Sequence, residues 1–319
     1  PIGTAPLLAS EGILKRIRMP SSQAVENAAS LTVAAMTAAE TSPQSWSQAL
    51  SGKHSNEWIA AGEVELNNHI RNGTWKLVDR SEAAGHKIFH TKDVFKVKML
   101  PPTLDHPNGQ IDKFKVRTTI AAYKHMLRDG VDYRECYAAT PRWNSMRLMF
   151  AIAAYFDLEM ELNDAEAFFL ASFLEAYERV YMEQHPRYHD GTGRLCQVLK
   201  AMYGFPQSAY HSQQKLIKTF KVRDVLQIAS DRAVFTVAKA RCEDENVKAI
   251  VSVHVDDALS VGVDDGLDTI RTSMGSVFTL KTTKNPTLVI GVQIERCREH
   301  RWLKLHQEGY VMKLLEDEG

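Results

Sequence analysis

Apolar positions at Trp58, Ile59, Val64, Leu66 and Ile70 recur at helical spacing, and the Asn72-Gly73 pair closes the run, which predicts an amphipathic helix. Two strand-like stretches follow, Val94 to Leu100 and Ile111 to Ala122, separated by a proline-rich loop with Asn108-Gly109, a hairpin signal. Along them Lys96, Lys98, Lys113, Lys115 and Arg117 alternate with apolar residues, so one face of the hairpin is basic and the other apolar. After Pro141, Ser145 to Tyr155 has the periodicity of a buried helix, and Leu158 to Leu162 alternates like a strand that ends at Asp164.

Beyond Asp164 the pattern predicts a helical stretch from Phe168 to Tyr177, a short apolar run Val180-Tyr181-Met182, and a long helix from Gln207 to Phe220. Strand character returns at Val247 to Val253, breaks at His254-Val255-Asp256-Asp257, and resumes at Ala258 to Val261. That is a hairpin with two carboxylates at its tip. Strands near Leu288 to Ile294 and Trp302 to Leu305, then a helix from Gln307 to Glu316, complete the pattern. No internal repeat recurs at a fixed period.

Composition narrows the class. The 319 residues are 44% hydrophobic and 24% charged, enough for two or three packed subdomains of ordinary globular type. The longest nearly pure apolar run, Leu148 to Phe156, is far shorter than the roughly 20 residues of a bilayer-spanning helix, so no membrane segment is expected. Residues 1–55, rich in Ala, Ser, Thr and Pro, read as a poorly ordered leader, and the start at Pro1 reads as that of an internal fragment without a secretory signal. Cys136, Cys196, Cys242 and Cys297 have no C-x-x-C spacing and suggest neither a zinc site nor a disulfide framework, which fits an intracellular protein. His86 and His90 have i, i+4 spacing, but nothing completes a metal site, and lone surface histidines describe them better.

The formal net charge is zero, yet Lys87 to Arg128 carries Lys87, Lys92, Lys96, Lys98, Lys113, Lys115, Arg117, Lys124 and Arg128 against Asp93, Asp105 and Asp112. Charge alone favours a solvated hairpin face over a polyanion contact. The acidic residues are more specific. Asp264-Asp265 falls where a strand has ended and reads as a helix N-cap region, whereas Asp256-Asp257 is flanked on both sides by apolar strands. Neighbouring carboxylates between buried strands repel and call for a cation. With Asp164 they would form an oxygen-donor set suited to Mg²⁺ or Mn²⁺, the kind that holds two ions about 3.5–4 Å apart in nucleotidyl transfer.

These residues resemble the reverse transcriptases of copia-type LTR retrotransposons. Asp164 to Leu170 (DAEAFFL) is similar to that family's D-V-x-x-A-F-L, and His254-Val255-Asp256-Asp257 to its Y-V-D-D. Glu65, Asn72, Thr74, Trp75, Leu77 and Val78 match E-x-x-x-L-x-x-N-x-T-W-x-L-V. Lys113 to Tyr123 resembles K-Y-K-A-R-L-V-A-K-G-F, Gly130 to Tyr133 G-I-D-Y, and Leu199 to Ser208 (LKAMYGFPQS) L-x-K-A-L-Y-G-L-K-Q-S. Arg142, Ser145-Met146-Arg147 and Val180-Tyr181-Met182 fall in the family's order, so the likeness spans about Trp46 to Leu315. Departures are His254 for the tyrosine, Pro206 for the lysine, Ala122 for the fingers glycine, and Tyr210 near an expected arginine.

The resemblance implies an α+β right-hand polymerase fold with an antiparallel-sheet palm, fingers and a partial thumb. Its parts would interleave as fingers 56–140, palm 141–172, fingers 173–212, palm 213–295 and the start of a thumb or connection at 296–319. It implies RNA-directed DNA polymerase activity, with Asp164, Asp256 and Asp257 as catalytic metal ligands for Mg²⁺ or Mn²⁺. Lys115 and Arg117 would contact the incoming triphosphate, Gln207 would line the nucleotide pocket, and Phe169, five residues after Asp164, would be the aromatic gate against a ribose 2′-hydroxyl. From spacing alone a core aromatic is the better reading of Phe169. Expected partners are a primed RNA or DNA template and deoxynucleoside triphosphates, with association to a downstream RNase H region or a second copy. The alternatives are a catalytically inactive remnant that keeps the fold and binds nucleic acid, and a metal-dependent nuclease using the same carboxylates.

Overall fold

The computed structural model describes residues 42–100, 110–122, 127–130, 133–238, 247–308 and 310–311. The chain divides into two compact units, one of Pro1–Thr41, Val97–Lys113 and His306–Gly319, the other of Ser42–Lys96 and Phe114–Leu305. All seven candidate site residues belong to the second unit.

Helix α1 (Trp46–Ser51) starts at Ser45, whose hydroxyl accepts from the Gln48 amide, and α2 (Ser55–Asn72) stops at Gly73, which takes a left-handed φ of 58°. Residues 46–55 are therefore helical or join helices, not part of a poorly ordered leader, while 1–41 lie outside the described residues. The buried face of α2 is only in part the apolar one the spacing suggested. Val64 and Ile70 are exposed, whereas Trp58, Gly62, Glu65 and His69 are buried. Polar residues win that face because it meets polar partners: Glu65 accepts from Arg117 and the Thr118 amide, and His69 contacts Thr74.

Strands β1 (Trp75–Val78), β2 (Ile88–Phe89), β6 (Val180–Glu183) and β7 (Leu195–Val198) form a sheet in the order β1-β7-β6-β2, with β2 and β6 parallel and the other pairs antiparallel. Strands β3 (Thr91–Leu100) and β4 (Gln110–Ile120) pair as the expected hairpin; its turn at 101–109 lies outside the described residues. Phe95 and Val97 are buried while Lys96 and Lys98 are exposed, so the alternation appears as anticipated.

The largest sheet has six strands, β5 (Glu159–Glu166), β8 (Val225–Ile228), β9 (Asp231–Ala238), β10 (Val247–His254), β11 (Asp257–Gly262) and β12 (Thr279–Lys284), ordered β12-β5-β11-β10-β9-β8 and antiparallel throughout. One face packs Ala165, Val251, Val253 and Ala258 against α4 (Ser208–Val222) and α5 (Asp264–Gly275). The opposite face packs Met160, Leu259 and Val261 against α3 (Trp143–Tyr155), with Val289 and Ile294 from the sheet of β13 (Leu288–Val289), β14 (Val292–Cys297) and β15 (Trp302–His306). Together these layers are an α+β fold.

Several elements differ from the expectation. Asp164 lies within β5, two residues before its end. The helix expected over Phe168 to Tyr177 is a 3₁₀ turn, Phe168–Ala171, after which the chain runs extended: Ala201 N donates to Ser172 O, Leu174 N to Leu199 O, and Phe173 bridges Lys200. Those cross-chain bonds take the backbone groups a helix would need. Residues 288–294 make two strands joined at Ile290-Gly291, both with positive φ. Asp264 and Asp265 do open a helix, at its first turn. Of the helix expected from Gln307 to Glu316, Glu308, Tyr310 and Val311 are helical while 309 and 312–316 lie outside the described residues, and His86 and His90 are not on a helix. Cys136, Cys196 and Cys297 are free thiols, and no helix among the described residues is long and apolar enough to cross a membrane.

Candidate active site

The register of the six-stranded sheet places the acidic residues. Asp257, the first residue of β11, stands directly opposite Asp164 on β5. Lys281 on β12 stands opposite Asp164 from the other side, and His254 on β10 stands opposite Asp257. Directly opposed residues share a face, so Lys281, Asp164, Asp257 and His254 form one row across four strands. By the same alternation that row is on the face carrying Met160 and Leu259. It stands where the apolar cover gives way: Asp164 and Asp257 are half-buried.

Asp256 occupies the two-residue turn between β10 and β11 and is exposed. Its carbonyl accepts from the Ala165 amide at 2.9 Å, which stitches the hairpin tip to β5 beside Asp164. Its neighbour Val255 has a φ of 59°, a left-handed conformation that a β-branched residue adopts only under strain of about 1–3 kcal/mol. Two features over-determine it. The Val255 side chain packs on the core beneath α4 and α5, and the main chain on each side is paired.

Two carboxylates directly opposed on neighbouring strands repel. A divalent cation fits this donor set, since the ligands are all oxygen, all anionic and partly open to solvent. Among the described residues no three His, Cys, Asp or Glu side chains already converge on a metal-sized point; the fold fixes the backbone row.

A second cluster brings together two of the predicted nucleotide contacts, Arg117 and Phe169. Arg117 pairs with the buried Glu65 at 2.9 Å, and its guanidinium lies over the Tyr203 ring at 5.1 Å. Phe169 meets the same ring edge-to-face at 5.0 Å. Burial raises the Tyr203 phenol above its ordinary value; the charge of Arg117 opposes this, while the carboxylates of Glu65 and Asp256 add to it. Lys115 is half-buried on β4, with the alternation of Arg117. Gln207 departs from expectation: it is fully buried at the N-cap of α4, and neither amide atom has a hydrogen-bond partner among the described residues. As placed, its side chain does not open onto a pocket.

Three residues matter here that the sequence did not single out by role. Glu65 and Asp93 receive the two ends of Thr118, Glu65 from its amide at 3.2 Å and Asp93 from its hydroxyl at 2.7 Å. Tyr203 was visible only as part of the LKAMYGFPQS block. Gly204, with a φ of 97° and no room for a Cβ, was the signal that the backbone there comes close to another strand.

Comparison with known proteins shows the family. Residues 72–319 match the family described as reverse transcriptase (RNA-dependent DNA polymerase). The chain is 29% identical over 278 residues to the retrovirus-related Pol polyprotein from transposon TNT 1-94 of Nicotiana tabacum, a match covering 86% of this chain and 20% of that protein. Among solved structures it is similar to a foamy viral protease-reverse transcriptase in complex with double-stranded DNA (TM-score 0.42, 10% identity, 79% of this chain and 36% of that one). It is also similar to the native prototype foamy virus protease-reverse transcriptase (TM-score 0.37, 11% identity, 70% and 23%). The match over residues 72–319 takes in β5, the Asp256-Asp257 hairpin and Arg117, Phe169 and Tyr203, though not Glu65, and the chain belongs to the reverse transcriptase (RNA-dependent DNA polymerase) family.

Proposed function

We propose that this chain extends a primer on an RNA or DNA template, with Asp164, Asp256 and Asp257 as the carboxylates that hold two Mg²⁺ or Mn²⁺ ions. The observation that carries this reading is the direct opposition of Asp164 and Asp257, with Asp256 tied to β5 through its carbonyl. In palm and fingers terms, the six-stranded sheet with α3, α4 and α5 is the palm and the β3–β4 hairpin belongs to the fingers. When bound, the ions supply Lewis-acid activation and charge neutralisation. The primer 3′-hydroxyl oxygen forms a bond to the α-phosphorus of the deoxynucleotide, the bond to the β-phosphate oxygen breaks, pyrophosphate leaves and the hydroxyl proton passes to solvent.

The protein's own residues bind and orient. Arg117, held by Glu65, and Lys115 offer cations to the triphosphate; Phe169 bounds the sugar; exposed Lys96 and Lys98 meet backbone phosphates. The chain spans 20% of the tobacco polyprotein, so RNase H association or pairing with a second copy is a proposal for the larger protein.

A second reading, an inactive remnant that binds nucleic acid, draws on Gln207, sealed in the core without a partner among the described residues, and on His254 and Pro206 at positions where the family carries other residues. Primer extension with Mg²⁺ or Mn²⁺ separates the two. Incorporation that Asp256→Asn abolishes supports the polymerase; binding without extension supports the remnant; shortening of the primer supports a nuclease.

A further inference from the structure

The Tyr203 ring touches both Arg117 and Phe169, the predicted triphosphate and sugar contacts. These come from separate parts of the chain, Arg117 from β4 and Phe169 from the 3₁₀ turn after β5. Their separation therefore depends on what stands between them. The Tyr203 backbone is itself fixed to β4. Ile120 N donates to the Tyr203 carbonyl at 2.9 Å, and a Cβ on Gly204 would stand 2.1 Å from the Ile120 carbonyl oxygen. The flanking Met202 and Phe205 sit in a core with Ile120 and Leu170. Backbone and ring therefore both bind the loop before α4 to the strand bearing Arg117, and the ring reaches across to Phe169.

We propose that Tyr203 is a positioning residue that sets the spacing between Arg117 and Phe169 and thereby determines how strictly the site prefers a deoxyribose to a ribose. The inference rests on the polymerase reading above. Its physical content is a cation on one part of the ring and an aromatic contact on another. Leucine would remove both the quadrupole that attracts Arg117 and the edge-to-face contact with Phe169. Glu65 would still hold Arg117 from its other side, so the cation stays in the site but is freed to shift relative to the sugar gate.

The test is steady-state single-nucleotide addition by the full chain, with a deoxynucleotide and the matching ribonucleotide, for wild type, Tyr203→Leu and Tyr203→Phe. Tyr203→Leu is expected to raise KM for the deoxynucleotide by about tenfold, with a smaller change in kcat, and to narrow the deoxy-over-ribo ratio of kcat/KM by about tenfold. Tyr203→Phe keeps the ring and is expected to restore the ratio. A purely structural role would lower the active fraction, reducing kcat for both sugars alike and leaving the ratio intact; that result overturns the proposal, as does a ratio that phenylalanine fails to restore. If wild type extends no primer, the polymerase reading falls and takes this inference with it. If wild type extends and the leucine variant keeps the ratio, only the inference falls.

Discussion

Replacing Asp93 by alanine should destabilise the protein strongly, and the size follows from its contacts. The carboxylate, 5% exposed, accepts hydrogen bonds from the Trp46 indole at 2.5 Å, the His185 ring at 2.6 Å and the Thr118 hydroxyl at 2.7 Å, so it joins α1, β4 and the segment after β6. A hydrogen bond to a charged group contributes about 1.5–3 kcal/mol, but the contributions of one network do not add. Removing one member of a buried charged cluster costs about 3–5 kcal/mol, and that is the expected loss. Burial alone would raise the Asp93 pKa; the hydrogen bonds from His185, Thr118 and Trp46, with the charge of His185, outweigh it and hold the carboxyl below its ordinary 3.8. A depressed folded value means the unfolded chain takes up the proton first as pH falls. The contribution is therefore complete well above pH 3.8 and is lost as pH drops through the lower folded value. Urea unfolding of wild type and Asp93→Ala, followed by tryptophan fluorescence, should show the full gap at pH 7 and a closing gap below about pH 4. A gap under about 1 kcal/mol at pH 7, or one that widens in acid, would refute the reasoning.

Gly204→Ala combines a forbidding φ of 97° with a Cβ 2.1 Å from a backbone oxygen, so a loss of about 3 kcal/mol or more is expected in the same assay. An unchanged urea midpoint would show that the loop does not approach Ile120 so closely. Gln213→Ala removes both partners of Ala139, whose N–H and carbonyl bond to the glutamine amide at 2.8 and 2.7 Å; about 1–3 kcal/mol should go, with faster hydrogen exchange at the Ala139 amide. Changing Lys96 and Lys98 together to glutamine should flatten the salt dependence of primer–template binding by about one unit of log–log slope for each phosphate that is no longer neutralised, and an unaltered slope would remove the β3 face from the nucleic-acid interface.

The elements most legible from sequence were those whose alternation or periodicity was decided by local chemistry. The β3–β4 hairpin, the α3 helix and the Asp256-Asp257 hairpin follow from apolar residues recurring at strand or helix spacing, and the termination of α2 follows from Gly73. The burial of Glu65 and His69 on α2 is not legible from apolar spacing, because only their distant partners, Arg117, Thr118 and Thr74, make it possible. The 3₁₀ turn at 168–171 was read as a longer helix because its extended continuation depends on bonds to residues 199–201, which no local window contains. In the site, sequence offers the three aspartates as candidates, but not that Asp164 and Asp257 stand directly opposed or that Lys281 and His254 stand in their row, since register is a property of paired strands. Tyr203 is not legible locally for a similar reason: the two side chains its ring meets, Arg117 and Phe169, are neighbours only in space.

The left-handed Val255 has an evolutionary corollary. Glycine there would relieve the backbone yet forfeit the side chain's grip on the helix-backed core, leaving the loop before Asp256 free to wander. Charged replacements would face both the awkward dihedral and an apolar seat. The position is thus caught between opposing demands, and drift at this spot should be confined to apolar residues even where the surrounding surface varies freely.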